Sequence, residues 1–271
     1  MRTMRDVLHR YRLATVCEGA ICPNTVECWG ERTATFMLLG EVCTRACRFC
    51  AVPTGDPCGA VDRSEPDRIA AAVGELGLRY VVLTSVDRDD LPDGGAGLFA
   101  ATIERVKAAS EGARVEALIP DFGGDRDALA QILATDVDVL GHNVETVPRL
   151  SPTMRDRRAG YRLSLDVLTA LRDGAGRRWV KSGLMVGLGE TREEIVETLQ
   201  DLRGVGVDRV TIGQYLRPTE ASAPVARFVP PTEFDDLACR ARTMGYASVV
   251  AGPLVRSSYH AALAFAGGCA P

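Results

Sequence analysis

Apolar and polar positions follow two different periods along this chain. Short runs of mostly apolar residues recur at 35–40 (TFMLLG), 80–84 (YVVLT), 114–119 (RVEALI), 137–140 (VDVL), 180–186 (VKSGLMV) and 209–213 (RVTIG), with a further candidate at 247–251. Runs of this length, rich in Val, Ile and Leu, predict strands of a largely parallel sheet. Between them the apolar residues fall at three- and four-residue intervals: Ile69, Val73 and Leu76, then Phe99, Ile103 and Val106, then Leu165, Leu168 and Leu171. Each set shares one helical face and can cover the sheet. Pro66 suits a first helical turn. Thr191 with Glu194, and Thr232 with Asp235, have the spacing at which a hydroxyl and an acid satisfy the open N–H groups of a helix start. Six strand-helix repeats predict an α/β fold, a partial (β/α)6 TIM-like barrel. The proline-rich stretch 218–231 reads as a long loop before a late helix, and no linker is visible.

Composition changes this picture little. Of 271 residues 46% are apolar and 25% charged, as in an ordinary folded domain. A formal net charge of −4 argues against a nucleic-acid partner, whose phosphates reward a basic face. Residues 1–14 mix arginines with scattered apolar residues and lack the apolar core of an export signal, and no run reaches membrane-spanning length. The expectation is a cytoplasmic protein without a membrane partner, whose nine cysteines sit in a reducing compartment. Clustered thiols there bind metal more often than they form disulfides.

Their spacing is the informative feature. Cys43, Cys47 and Cys50 form C-x3-C-x2-C directly after the first predicted strand, where a loop can wrap three thiolates round one centre. A closed zinc site wants four ligands. A cubane cluster held by three leaves one iron open to an outside ligand. Cys17, Cys22 and Cys28 form a second group, C-x4-C-x5-C, on a loop-like stretch with Pro23, Asn24 and Gly30. That spacing is wider than in ferredoxins, and a zinc site completed by a distant residue is the alternative. Cys58 in a Gly/Pro loop, Cys239 on a predicted helix and Cys269 near the end read as ordinary thiols.

The first triplet, with Phe49 before its last cysteine, resembles the cluster motif of radical S-adenosylmethionine enzymes. The two triplets together resemble the lipoyl synthase family, and the likeness runs from Leu13 to Ala261. It is carried by VCEGAICPNTVECWGERTATFMLLGEVCTRACRFCAV, YVVLTSVDRDDLPDGGAG, EALIPDF, HNVETVPRL, KSGLMVGLGET, TIGQYLRP and GPLVRSSYHA. The resemblance implies an enzyme that inserts sulfur at C6 and C8 of an octanoyl chain held on a carrier lysine. It implies two 4Fe-4S clusters and S-adenosylmethionine. Cys43, Cys47 and Cys50 would hold the cluster that binds S-adenosylmethionine. Cys17, Cys22 and Cys28, with Ser258 of the RSSY motif as fourth ligand, would hold an auxiliary cluster that donates sulfur.

The same likeness implies N- and C-terminal extensions around the barrel, with segments at 1–34, 35–251 and 252–271. Thr84 and Ser85, with the glycines of DGGAG, and Asn143 and Glu145 are the expected S-adenosylmethionine contacts. Gly183–Glu190 resembles the stretch that lines the adenine, and His142 suits either a core or a pocket position. Implied partners are an octanoylated lipoyl carrier domain (a 2-oxoacid dehydrogenase E2 or a glycine cleavage H protein), reduced ferredoxin or flavodoxin, and iron-sulfur cluster assembly proteins. Three features depart from the family: sixteen residues precede Cys17, TEASA occupies 219–223, and Ala46 stands where a basic residue is common. Carrier domains are acidic, so these departures raise a related enzyme with a different substrate as the alternative.

Overall fold

The computed structural model describes residues 3–19 and 22–265. In chain order the elements are α1 (Met4–Arg10), α2 (Val16–Gly19), α3 (Thr25–Gly30), β1 (Thr33–Leu38), α4 (Glu65–Leu76), β2 (Tyr80–Ser85), α5 (Ala96–Ala109), β3 (Arg114–Leu118), α6 (Arg126–Leu133), β4 (Val139–Gly141), α7 (Ser151–Met154), α8 (Tyr161–Ala175), β5 (Trp179–Val186), α9 (Arg192–Gly204), β6 (Arg209–Gln214), α10 (Pro231–Thr243), β7 (Ser248–Gly252) and α11 (Ala261–Phe265). The seven strands are hydrogen-bonded in sequence order in one sheet, with a helix between successive strands, as in a partial TIM-like barrel. The candidate at 247–251 is therefore a full seventh strand, not an optional addition to six.

The chain divides into two compact units, one up to Arg45 and over Val52–Leu140, the other over Ala46–Ala51 and from Gly141 onward. In the first, β1 pairs in parallel with β2 and β2 with β3, with Thr33 opposite Tyr80 and Tyr80 opposite Arg114. The free edge of β1 takes an antiparallel bridge from Thr15 to Phe36, which pairs backbone groups an edge strand would otherwise expose. Ile69 and Val73 of α4 and Phe99, Ile103 and Val106 of α5 are all buried, as their periodicity requires. Pro66 lies in the first turn of α4, and Gly77 ends that helix at φ 59°.

In the second unit β5, β6 and β7 pair in parallel, with Lys181 opposite Arg209 and Arg209 opposite Ser248. α8 buries Leu165, Leu168 and Leu171. Thr191 and Glu194 form the reciprocal capping box at the start of α9. Thr232 and Asp235 do not. The helix they were expected to open begins at Pro231, with Pro230 as an uncapped N-terminal residue, so both already lie inside α10. Two prolines with fixed φ and no N–H start the helix without a hydroxyl cap. Among the described residues no helix is long and apolar enough to cross a membrane.

Asp138, just before β4, ties the lower edge of the first unit. Its carboxylate accepts from Lys107 Nζ and Arg114 Nη1 (both 2.7 Å) and from Val115 N (2.8 Å). Burial alone would raise its pKa, but these three donors outweigh it and hold the carboxyl below the ordinary value of 3.8. A depressed folded value means stability that is present above the unfolded pKa and lost as pH falls through the folded one. Asp138→Asn is expected to cost about 2 kcal/mol at neutral pH. Thermal unfolding of the two proteins should differ at pH 7 and converge as pH falls through the depressed folded pKa of Asp138.

Candidate active site

The first cysteine triplet begins where β1 turns outward. Leu39 and Gly40 adopt φ 68° and 91°, and the Glu65 carboxylate accepts the Leu39 N–H at 2.9 Å. Cys43 then bridges to Thr54 and donates its N–H to Pro53 O at 2.9 Å. Its Sγ accepts two backbone N–H groups, from Asp87 at 3.3 Å and from Arg45 at 3.4 Å. Arg45 is buried among Asp87, Asp89 and Asp121. Burial opposes its charge, but hydrogen bonds to Asp89 and Asp121 and the field of Asp87 outweigh that, and the guanidinium's pKa is raised.

In the second unit the remaining triplet residues have their own supports. Cys47 Sγ accepts Asp156 N at 3.3 Å, and the Asp156 carboxylate takes Ala46 N at 3.0 Å. A hydrogen bond from Arg158, with those from the Ala46 and Arg158 N–H groups, holds Asp156 below the ordinary carboxylate range. Arg48 donates its N–H to Met154 O and accepts Ala223 N, at 2.8 and 2.7 Å. Cys50 is exposed and donates its N–H to Cys47 O. Ala46 and Ala223, two of the departures from the family pattern, therefore act here through backbone groups.

Cys17, Cys22 and Cys28 do not lie on one loop. Cys17 is buried in α2 and Cys28 in α3, and half-buried Cys22 joins the two. The Thr25 hydroxyl donates to Cys22 O and Cys17 O (2.8 and 3.3 Å), and Cys22 N donates to Cys17 O, so local hydrogen bonds wind this stretch into short helices. Burial pushes the Cys17 thiol up. All eight cysteines of the described residues are thiols rather than disulfides, Cys58 and Cys239 being exposed. Cys269 lies outside the described residues.

Beyond β4, the Asn143 side chain donates to Ser257 Oγ at 2.8 Å and hydrogen-bonds Glu145. Gly183 of β5 lies under this pair, and a Cβ there would meet Thr211 Oγ1 at 2.6 Å, Asn143 Oδ1 at 3.0 Å and Ser257 Oγ at 3.4 Å. Glu145 holds φ 68°, a conformation that costs a non-glycine residue on the order of 1 kcal/mol. Desolvation raises its pKa, against the pull of Arg155 and Asn143. Arg155 Nη1 also donates to Ser164 Oγ at 2.7 Å. That hydroxyl is also hydrogen-bonded to His142 Nε2 at 2.8 Å, and His142 is buried in the core.

At the far end of β5, the Glu190 carboxylate accepts Gly187 N and Leu188 N at 2.6 and 2.9 Å. Gln214 clasps Arg227 O and Val229 N against the same turn. Thr84 and Ser85 are the last two residues of β2 and do not follow it, and Thr84 has partners on both sides in Met37 and Leu118. Ser85 Oγ is buried with no hydrogen-bond partner. In DGGAG the Asp93 carboxylate takes Gly95 N and Gly97 N, so this stretch caps α5. Ser258 is half-buried, and its carbonyl accepts Ala261 N.

The sequence profile of the radical SAM superfamily matches residues 37–202. The chain is 57% identical over 263 residues to the lipoyl synthase of Pyrobaculum arsenaticum, covering 96% of this chain and 88% of that one. It is 54% identical over 260 residues to the lipoyl synthase of Thermus thermophilus, covering 96% and 80%. The chain belongs to the lipoyl synthase family. Among solved structures, the hydrogenase maturase HydG from Carboxydothermus hydrogenoformans aligns with a TM-score of 0.64 at 13% identity, covering 98% of this chain and 69% of that one. Methylornithine synthase aligns at 0.56 and 14% identity, covering 92% and 82%. At such identities these two show the fold alone.

Membership of the radical SAM superfamily implies a 4Fe-4S cluster and S-adenosylmethionine. The residues present fit such a cluster: within its own unit, each of Cys43 and Cys47 has a sulfur that receives backbone N–H groups, which favour a charged sulfur. Sequence reasoning missed the partners of the site residues. Arg45 and its three aspartates, Ser257, Arg155 and Gln214 come from separate elements. A faint signal exists in the alternating acids of DRDD, which is also what an exposed turn looks like.

Proposed function

We propose that this chain inserts two sulfur atoms, at C6 and C8, into an octanoyl chain in amide linkage on a lysine of a lipoyl carrier domain. The observation that carries the reading is the pair of thiol triplets in a chain more than half identical to lipoyl synthases along nearly its whole length. When bound, the first cluster with S-adenosylmethionine supplies a 5'-deoxyadenosyl radical that removes hydrogen from saturated carbon, and an auxiliary 4Fe-4S cluster supplies the sulfur.

The chain's own residues hold and orient these groups. Cys43, Cys47 and Cys50 would hold the first cluster, whose chemistry with S-adenosylmethionine is radical generation. Asn143, held by Ser257, and Glu145, hydrogen-bonded by Asn143, would present an amide and a carboxylate to the ribose and amino end of the cofactor. Ser85, whose buried hydroxyl lacks a partner, and Thr84 face its methionine end. Cys17, Cys22 and Cys28 hold the auxiliary cluster with Ser258 as the fourth ligand. Ser258 would supply a single hard oxygen among thiolates at that cluster.

The partners in this reading are an octanoylated E2 or glycine cleavage H protein domain, reduced ferredoxin or flavodoxin as electron source, and cluster assembly proteins that rebuild the spent cluster. A different substrate is not favoured, since Ala46 and Ala223 support the loop of the first triplet through backbone N–H groups that any residue but proline provides.

The test is mass spectrometry of an octanoyl-lysine peptide after anaerobic turnover. A gain of two sulfurs with loss of one cluster is expected, and cofactor cleavage without any gain in mass overturns the reading. In Ser258→Ala, sulfur insertion is expected to fall to background while cofactor cleavage continues. Retained insertion there rejects the serine as a ligand.

A further inference from the structure

We propose that Arg45 is a positioning residue for the first cluster: its guanidinium clamps three aspartates so that two backbone N–H groups stay on Cys43 Sγ and hold up the cluster's reduction potential. The proposal rests on the cluster assignment above, not on the sulfur chemistry.

Arg45 is 4% exposed. Its Nε and Nη2 fork onto Asp89 at 3.0 and 2.7 Å, while Nη1 reaches Asp121 Oδ2 at 2.7 Å and Asp87 Oδ1 at 3.3 Å. Asp87 and Asp89 ride on the segment after β2. Asp121 follows β3 and anchors its own turn by accepting Gly123 N at 2.8 Å. Thr44 stitches the same parts together, donating its N–H to Asp87 O and its hydroxyl to Asp89 Oδ2, and accepting Asp89 N. Asp87 N is thereby aimed at Cys43 Sγ from one side and Arg45 N from another. The other two residues of DRDD pair with each other instead: Arg88 pairs with Asp90 and donates to Leu39 O.

Reduction adds negative charge to a cluster. N–H dipoles on its sulfurs stabilise that charge and raise the potential, and nearby carboxylates lower it. Three aspartates against one guanidinium already leave an excess of negative charge beside Cys43. Removing the guanidinium lets the carboxylates repel one another, loosens the Asp87 N–H from the sulfur and deepens the negative field. Both effects push the potential down. Lysine retains the charge but not the planar fork, so it cannot hold Asp89 and Asp121 together.

The experiment uses the full chain with both clusters reconstituted, comparing the parent with Arg45→Lys and Arg45→Gln. Iron is counted, and the EPR signal that changes on adding S-adenosylmethionine is followed through a redox titration. Arg45→Lys is expected to shift the equilibrium against reduction by about tenfold, which for a one-electron couple is about 59 mV, and Arg45→Gln by more, since it loses the charge as well as the fork. An unchanged midpoint in both, or a parental midpoint in Arg45→Lys alone, overturns the proposal, the second because charge and not geometry would then be what matters. Should Arg45→Gln fail to hold iron, Thr44→Val carries the test, since it changes no charge and loosens the same clamp. A smaller shift in the same direction is expected there, and an unchanged midpoint rejects the proposal. A parent chain with no cofactor-responsive signal would instead sink the cluster assignment, and the role of Arg45 with it.

Discussion

Replacing Cys50 with alanine is expected to lower bound iron from about eight to about four atoms per chain and to abolish 5'-deoxyadenosine formation, while Cys28→Ala lowers iron equally but leaves cofactor cleavage running. The two triplets are chemically alike and differ in what completes them. In the proposed reading, loss of Cys50 would remove one of the first cluster's three protein ligands and stop radical formation, whereas loss of Cys28 would leave radical formation running without a sulfur source, so S-adenosylmethionine would be consumed without product. Iron analysis, chromatography of 5'-deoxyadenosine and peptide mass spectrometry read the three quantities separately. Sulfur insertion by Cys28→Ala would remove the auxiliary cluster from the mechanism. Deoxyadenosine formation by Cys50→Ala would remove the first triplet from radical generation.

A methyl group at Gly213 is expected to have the next largest effect. A Cβ there would lie 2.2 Å from Val255 O and 3.1 Å from its carbonyl carbon. Strand β6 is laddered to β5 and β7 on its two sides and cannot retreat, so the segment that carries Val255 must move. That segment continues directly into Ser257, which holds Asn143, and Ser258. Overpacking of this kind costs about 2 kcal/mol, a fall in Tm of roughly 5 °C. Gly213→Ala should therefore fold with modestly lower stability yet lose sulfur insertion, with cofactor cleavage reduced less. Parental insertion with parental Tm would mean that the segment's position does not govern the serine.

The strands and helices were legible because burial imposes a period on the sequence. Ile69 with Val73, Phe99 with Ile103 and Leu165 with Leu168 recur at helical spacing, and the Val- and Ile-rich runs mark the strands to within about two residues at either end. The capping box at Thr191 was legible for the same local reason. Its counterpart at Thr232 was misread, because Pro230 and Pro231 already set the helix start two residues earlier. The N-terminal triplet was misread as a loop. The hydroxyl of Thr25, bonding two cysteine carbonyls, winds it into α2 and α3.

By itself the sequence determined the order of the main strands and helices, the two cysteine triplets and the family, since all three depend on residue types at fixed spacings along the chain. Only the tertiary structure decided which groups stand behind those cysteines: Asp87 N and Arg45 N on Cys43, Asp156 N on Cys47, Ser257 on Asn143. These pairs are 44, 2, 109 and 114 residues apart, and the three distant ones meet through backbone N–H groups or a single hydroxyl. A backbone donor has no side-chain identity, so nothing in the order of residues announces where it will point.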